Sequence, residues 1–333
     1  TRLVSDWSSD VCSSDLGHVR IQSVETSGIK LFGERTLDFR DRNRRAAQLV
    51  VVVGGPGTGK TYLLELIAAA KEAIAPYGPM PDDKRFLAAA DAPGKVALSW
   101  WLSDDEAGDM DTTEALRVTE TMWGGVLSLV AENDADMLRL LARHDESSPT
   151  GKLVYYQATR TLPIGAAGSG RHVRLALTND NAKFDGLDAY VADLCLDGVA
   201  RLAKDEASPH LARFISLFSS LCGSVTLNGL VRTRSGIQPS FLRGDTEIPL
   251  VDLSHSEREA FLLSASLCRS MVSSSIVLLD EPELRCAPSQ LLGRLRALLA
   301  FDPTNQFIVA TRHRALATEL AGEAAIVDLG GAF

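Results

Sequence analysis

Apolar residues along the chain fall into short runs and into helical repeats that alternate over much of its length. Residues 49–53 are all apolar and mostly β-branched, which predicts a buried strand. Residues 276–280 and 306–311 are similar runs, whereas 62–70 and 288–300 repeat apolar positions with helical spacing. Strands that alternate with helices predict an α/β fold, with a mostly parallel sheet covered by helices on both faces.

The remaining patterns predict a mixture of strands and helices. Residues 18–24 and 36–39 alternate in polarity and predict an antiparallel pair, and the acidic residues 104–106 predict a turn. Glycines at 165–170 predict a second turn. Further strands are predicted at 96–102, 152–158, 171–177, 225–231, 247–251 and 324–328, and further helices at 112–143, 187–204, 209–222, 253–271 and 315–320.

These elements divide the chain into one split domain with an insertion. Residues 17–103 and 246–333 are predicted to form the two parts of the parallel-sheet domain, and 104–245 an inserted helical and β lobe. Residues 1–16 are a near-repeat rich in Ser and Asp that resembles a translated sequencing adapter. We expect this leader to be non-native and to lie outside the fold.

The turn that follows the strand at 49–53 carries the strongest chemical signal. Gly54, Gly59, Lys60 and Thr61 match every fixed position of the phosphate-loop pattern G-x-x-x-x-G-K-[ST]. Backbone N–H groups and the positive end of the following helix form an anion site there. We expect Lys60 to reach the β- and γ-phosphates of ATP and the Thr61 hydroxyl to bind Mg²⁺. The residues predicted to contact the nucleotide are Gly54, Gly55, Pro56, Gly57, Thr58, Gly59, Lys60, Thr61 and Tyr62.

A second apolar strand, 276–280, ends in two carboxylates. This arrangement has the Walker B form, in which Asp280 joins the Mg²⁺ shell with Thr61. Glu281 follows by one residue, so the pleat turns its side chain away from that of Asp280, and it is the predicted general base. The alternatives are a glycine turn that binds nothing and a surface pair of acids.

The spacing of these motifs separates classes of phosphate-loop proteins. Lys60 and Asp280 lie 220 positions apart, and residues 253–258 (Leu-Ser-His-Ser-Glu-Arg) come shortly before the second strand. This run resembles the L-S-x-G-[EQ]-[RQ] signature of ABC-type and SMC-type ATPases. The resemblance implies an armless head in which Ser254 contacts the γ-phosphate held by a second subunit. Ser256 replaces the family glycine, and Ser254 with Glu257 also forms the pattern of a helix capping box.

Two further runs carry the same resemblance. Residues 280–288 (Asp-Glu-Pro-Glu-Leu-Arg-Cys-Ala-Pro) are similar to the D-E-P-E-x-x-L-H-P run of ABC-like AAA ATPases. Residues 308–314 resemble the A-T-H-S strand end, where a histidine contacts the γ-phosphate. Arg312 takes the histidine position and His313 follows it, so either is a candidate γ-phosphate contact; a solvated turn is the alternative. No glutamine stands out as the Q-loop residue, and Gln157 is a weak candidate.

Composition restricts the partners and the location. The formal net charge of −9 disfavours broad binding to nucleic acid. Four arginines within residues 40–45 have two interpretations, a local contact with DNA or a partner and a solvated loop. Five scattered cysteines without a C-x-x-C pair predict a reducing compartment and no zinc site. No apolar run is long enough for a transmembrane helix and no secretory leader is recognisable, so we expect a cytoplasmic protein that does not enter the membrane.

Together these patterns predict a head-type ATPase that uses ATP and Mg²⁺, with Lys60 and Glu281 as catalytic residues. The resemblance implies a homodimer that sandwiches two ATP molecules and acts on a separate effector protein or on DNA; defence or DNA repair is an analogy only. Two alternatives stay open. One is a nucleotide-gated binding module with weak hydrolysis, and the other is a small-molecule kinase.

Overall fold

The computed structural model describes most of the chain. The leader predicted at residues 1–16 lies outside the described residues, as does most of the glycine turn predicted at 165–170. The described residues are 19–79, 82–89, 92–109, 115–124, 135–142, 153–165, 173–233 and 236–331.

A five-stranded sheet with all strands parallel carries the motif-bearing strands. Every residue of its three inner strands is buried, which explains why their sequences are continuous apolar runs instead of alternating patterns. The predicted α/β fold with a parallel sheet is therefore confirmed. In spatial order the strands are β12 (Ala325–Asp328), β3 (Leu49–Val53), β11 (Gln306–Thr311), β10 (Ile276–Asp280) and β6 (Leu153–Tyr156).

Helix α1 (Lys60–Ile74) lies between this sheet and a second, antiparallel one. Leu63 and Ile67 of α1 share one core with Val24 and Leu98 of the antiparallel sheet and Leu278 of the parallel sheet. The helix ends just before Pro76, because the residue preceding a proline disfavours helical geometry. The antiparallel sheet has the order β2 (Gly33–Asp38), β1 (Arg20–Ile29), β4 (Gly94–Trp101) and β5 (Leu116–Trp123).

The opposite face of the parallel sheet packs against helices and a small antiparallel sheet. Four phenylalanines form the centre of this second core, with ring centroids 5.4–6.4 Å apart: Phe214, Phe218, Phe241 and Phe261. The elements on this side are α4 (Leu187–Leu202), α5 (Pro209–Cys222), α6 (His255–Arg269), α7 (Pro288–Phe301), α8 (Arg314–Glu319), β7 (Thr226–Thr233), β8 (Gly236–Arg243) and β9 (Thr246–Pro249).

The helix predicted at 112–143 is wrong over its first part, where the chain forms β5. The strand points Thr119 and Thr121 into the core and leaves Leu116 and Val118 half-exposed, the reverse of the usual polarity. The buried hydroxyls are satisfied, since Thr119 accepts a hydrogen bond from Trp100 Nε1 at 2.7 Å. This reversal hid the strand from the apolar pattern. The later part of the prediction does contain a helix, α3 (Ala135–Ala142).

Other local predictions also differ from the structure. The turn predicted at 104–106 begins a short helix, α2 (Asp104–Asp109), because Ser103 and Glu106 form a reciprocal capping box. The strand predicted at 171–177 is wrong where it is described, since 173–177 form turns. Strand β8 was not predicted, because Pro239 lies inside it and proline argues against a strand.

The segment 104–245, predicted as one inserted lobe, also supplies strands to both larger sheets. It contributes β5 to the antiparallel sheet and β6 to the edge of the parallel sheet. The domain boundaries themselves stay a prediction. Among the described helices, none has both the length and the apolar character that crossing a bilayer requires.

Candidate functional site: a phosphate loop beside two acidic strand ends

The loop between β3 and α1 has a backbone that glycine makes possible. Gly57 and Gly59 have φ of 75° and 94°, in the left-handed region that favours glycine. A Cβ on Gly54 would clash with the Thr58 hydroxyl, which donates a 3.0 Å hydrogen bond to Gly55 O. The glycines and this hydrogen bond therefore hold the loop in a compact curve.

Lys60 begins α1, and its side chain is buried within this curve. Its Nζ donates to Gly54 O at 2.8 Å and to Gly55 O at 2.7 Å. The first turn of α1 itself contains no acidic residue that would weaken the positive end of the helix. The loop thus combines an ammonium group, a helix N-terminus and close backbone approach, which suits a phosphate.

The two motifs predicted to share a metal meet directly. Thr61 Oγ1 donates to Asp280 Oδ2 at 2.8 Å, although the residues are far apart in sequence. Asp280 is fully buried at the end of β10, and burial raises its pKa to about 6, against the opposing effect of the Thr61 hydrogen bond. Its other oxygen, Oδ1, is buried and has no hydrogen-bond partner.

An unpartnered buried carboxylate oxygen beside a threonine hydroxyl fits Mg²⁺. This ion takes one or two protein oxygens and completes its shell with water and substrate phosphates. A divalent cation would also neutralise the charge that burial penalises on Asp280. Among the described residues, no cluster of three or more His, Cys, Asp and Glu side chains is arranged to hold a metal by itself.

Glu281 follows Asp280 in a backbone conformation that is unusual for its residue type. Its φ is 42° and its N–H donates to Ala310 O at 2.9 Å, which ties the end of β10 to β11. Its carboxylate accepts a 2.7 Å bond from Arg312 Nη2. The Arg312 N–H in turn donates to Glu283 Oε1 at 2.9 Å.

The phosphate loop, the start of α1, Glu281 and Arg312 line a cleft of about 370 Å³. Tyr62 lines it with its ring packed between Phe32 and Phe86, and burial raises the pKa of its hydroxyl to about 12. Leu31, an exposed leucine at the β1–β2 turn, also lines the cleft and was not predicted from the sequence. The described residues that line the cleft are Leu31, Pro56, Gly57, Gly59, Lys60, Thr61, Tyr62, Glu281 and Arg312.

Comparison with solved structures places this architecture among known folds. The head domain of an SMC protein bound to the C-terminal winged-helix domain of ScpA matches with a TM-score of 0.55 and 13% identity, covering 90% of this chain and 92% of the other. The SMC head is the shared fold. A Pyrococcus furiosus SMC head with an extended coiled coil, bound to the C-terminal domain of ScpA, gives a TM-score of 0.51 and 12% identity, covering 90% and 91%. No protein-family model and no curated protein matches the sequence.

Within this SMC-head-like fold, the predicted signature run lies at the start of α6. Ser254 is an exposed N-cap whose side chain accepts from Glu257 N, while Glu257 Oε2 accepts from Ser254 N at 2.7 Å. The capping-box interpretation is thus correct, and it leaves the proposed contact with a second subunit open. Ser256 has its hydroxyl fixed within the chain by Arg294 Nη2 at 2.6 Å. Serine at the position of the family glycine is therefore accommodated by its hydrogen bond with Arg294.

The structure separates the two candidates for a γ-phosphate contact. Arg312 lines the same cleft as Lys60. His313 is the N-cap position of α8, its N–H donates to Thr311 Oγ1 at 3.1 Å, and it is not among the described residues that line the cleft. Geometry therefore favours Arg312.

Gln157 comes directly after β6, beside Asp280 in the register of the parallel sheet. Its Nε2 donates to Asn179 O and to Asn181 Oδ1, whereas its Oε1 is buried without a hydrogen-bond partner. Gln157 was only a weak candidate in the sequence, because no local pattern shows that β6 pairs with β10. The sheet order places it beside the Asp280 end of β10, the predicted metal site.

Sequence reasoning missed Arg160 entirely. This arginine is buried, its Nη1 donates to Asp280 O at 2.7 Å and to Gln157 O at 2.9 Å, and its Nε pairs with Glu259 of α6. Arg285 Nη1 lies 3.4 Å from the other Glu259 oxygen. This charge cluster, defined as Arg160, Glu259 and Arg285, connects α6 to the end of β10. No short motif in the sequence signals it.

Proposed function

We propose that this protein binds ATP with Mg²⁺ and hydrolyses it. The observation that carries the proposal is the contact of Thr61 with Asp280 at 2.8 Å, beside a cleft that Thr61 lines together with Lys60 and Glu281. Four groups that phosphoryl transfer requires thus converge from two distant parts of the chain. The fold supports the proposal as well, because it is similar to that of SMC heads.

In the proposed mechanism the loop 54–59 and Lys60 bind the β- and γ-phosphates. Thr61 and Asp280 would hold Mg²⁺, which neutralises developing charge on the phosphate oxygens. Glu281 accepts a proton from water as the water oxygen attacks the γ-phosphorus in line. The bond to the β–γ bridging oxygen breaks, which releases ADP and inorganic phosphate.

Three variants test the assignment. Lys60→Ala should lose ATP binding, and Asp280→Asn should lose the dependence of binding on Mg²⁺. Glu281→Gln should keep binding and lose phosphate release, because only the base is removed. Glu319→Gln, an exposed carboxylate on α8, is the matched control and should behave like wild type. ATP binding that survives Lys60→Ala would reject the site.

We also propose that two heads form a homodimer around two nucleotides, with Ser254 of each facing the other's γ-phosphate. Ser254→Asp separates this role from capping, since aspartate is an equally good N-cap but repels phosphate. Thermal stability should stay unchanged while ATP-dependent dimerisation, followed by light scattering in a Glu281→Gln background, is lost. Dimers that persist in the double variant would refute the trans contact.

A partner protein is the proposed target of the nucleotide cycle. Both reported SMC heads are bound to a domain of ScpA, and this chain is proposed to engage a separate effector protein in a comparable way. A contact with nucleic acid through the arginine loop 40–45 is a further proposal. Arg40 is paired with Asp38, whereas Arg42 and Arg44 are exposed. Binding of short duplex DNA with and without Arg42→Ala/Arg44→Ala tests that contact.

The second candidate function is a nucleotide-gated module that hydrolyses ATP weakly. The observation that favours it is the ion pair between Glu281 and Arg312, because it occupies the proposed base. Wild-type protein that binds ATP and dimerises without measurable phosphate release would support this alternative over the ATPase.

A further inference from the structure

The proposed base and a cation are joined at the mouth of the cleft. Glu281 and Arg312 follow two neighbouring parallel strands, β10 and β11, in which Asp280 is in register with Ala310. Arg312 Nη2 lies 2.7 Å from Glu281 Oε1, and its Nε lies 4.0 Å from Glu283 Oε1. The guanidinium thus bridges two carboxylates on the Walker B side of the cleft.

The two partners of this pair differ in their freedom to move. Glu281 is fixed by its left-handed backbone and its N–H bond to Ala310, and its side chain is only 19% exposed. The side chain of Arg312 is half exposed, and its backbone N–H is held separately by Glu283. The guanidinium can therefore leave Glu281 without disturbing the backbone on either side.

A phosphate in the cleft would compete for the same guanidinium. Arginine binds phosphate oxygens with two parallel hydrogen bonds, and a terminal phosphate carries more charge than one carboxylate. Lys60, the other cation among the described residues that line the cleft, is bonded to loop carbonyl oxygens, and no carboxylate of the described residues forms an ion pair with it. Arg312 is thus the cation whose movement changes the state of the base.

We infer that Arg312 restrains Glu281 until a γ-phosphate draws it away. When no γ-phosphate is bound, the guanidinium pairs with Glu281 Oε1 and occupies the oxygen that would otherwise accept a hydrogen bond from water. With ATP, Arg312 transfers to the γ-phosphate and Glu281 becomes available to water. This inference rests on the proposed nucleotide site and adds a regulatory role within it.

The inference predicts that Glu281 and Arg312 are coupled in binding a triphosphate but not a diphosphate. Affinities for AMP-PNP and ADP with Mg²⁺, measured by calorimetry, avoid any dependence on hydrolysis. Arg312→Gln should weaken AMP-PNP about 10-fold, the value of one charge-assisted hydrogen bond, and leave ADP unchanged. Glu281→Gln should tighten AMP-PNP about 5-fold or more, because Arg312 no longer has to leave a carboxylate.

The double variant separates the restraint from simple charge repulsion between Glu281 and the γ-phosphate. With Arg312→Gln already present, Glu281→Gln should have less than about a 2-fold effect on AMP-PNP. Equal tightening in both backgrounds would overturn the inference, as would equal weakening of ADP and AMP-PNP by Arg312→Gln. Arg314→Gln, an exposed arginine two residues on that pairs with Asp328, is the matched control.

The outcomes distinguish this inference from the proposed function. If wild-type protein binds neither nucleotide, the nucleotide site itself is wrong. If both nucleotides bind and Arg312→Gln changes neither affinity, the site stands and the restraint is refuted. Because the pair is partly exposed, Arg312→Gln should remain folded, and a thermal melt of each variant checks this.

Discussion

Replacing Glu259 with glutamine should destabilise the protein strongly, and far more than the loss of an exposed charge such as that of Glu323. The Glu259 carboxylate is 1% exposed and pairs with Arg160, which is itself 2% exposed. The variant keeps the shape of the side chain and removes only its charge. Arg160 would then be a buried cation whose remaining partners are the backbone oxygens of Gln157 and Asp280.

The size of the effect follows from this burial. Removing one partner of a buried ion pair costs about 3–5 kcal/mol, because the other charge stays out of water without compensation. Arg285 does not replace the lost charge, since it is a cation as well. A loss of this size is a large share of the roughly 5–15 kcal/mol that stabilises a typical folded protein.

Urea unfolding, monitored without nucleotide, measures the change. The matched control is Glu323→Gln, which breaks an exposed pair with Arg296 and should cost less than about 1 kcal/mol. In a protein that already carries Arg160→Met, Glu259→Gln should lower the free energy of unfolding by less than it does in wild type. The difference, which is the coupling energy, should be at least about 1 kcal/mol. A Glu259→Gln variant within about 1 kcal/mol of wild type, similar to its control, would refute the argument.

Three further outcomes follow from single contacts. Gly54→Ala should abolish ATP binding measured by calorimetry, because the new Cβ meets the Thr58 hydroxyl. The control Gly293→Ala, in the open middle of α7, should stabilise the protein by about 0.5–1 kcal/mol. Equal ATP affinities of the two variants would contradict the clash. Thr61→Val should weaken Mg²⁺-dependent ATP binding while Thr61→Ser keeps it, since only the hydroxyl contacts Asp280; identical titrations of the two variants would exclude that role. Burial, aided by the charge of Arg160, lowers the pKa of Lys183 to about 7, so at higher pH the unfolded chain binds a proton that the folded chain does not. The free energy of unfolding of the wild type should therefore rise between pH 8 and 9.5 by about 1.4 kcal/mol per pH unit more than that of Lys183→Met, and parallel pH profiles would argue against a buried neutral lysine.

The sequence was sufficient where function and fold depend on neighbouring residues. The loop Gly54–Thr61 and the strand that ends at Asp280 are each local patterns, and the structure brings Thr61 into contact with Asp280, the two residues predicted to share Mg²⁺. The parallel sheet was also predictable, because strands buried on both faces are continuous apolar runs. The roles of Lys60 and Glu281 in catalysis stay predictions.

The sequence was insufficient where the decisive contact is distant or reverses the usual pattern. Strand β5 buries threonines and exposes apolar residues, so periodicity gave a helix. Arg160 and Glu259 are 99 positions apart, and no motif indicates that they pair. The bond from Arg312 to Glu281 depends on the order of β10 and β11 in the sheet, which a list of predicted strands does not contain.

The position of β3 in the parallel sheet has a consequence for how the chain acquires its structure. Its two neighbours are β11 and β12, so the strand that carries the phosphate loop has no pairing partner until residues 306–328 have been synthesised. Until then, five consecutive apolar residues stay unpaired, a state that favours aggregation and binding by chaperones. We therefore expect ribosome-bound chains that end before residue 306 to bind no nucleotide and to depend on chaperones for solubility.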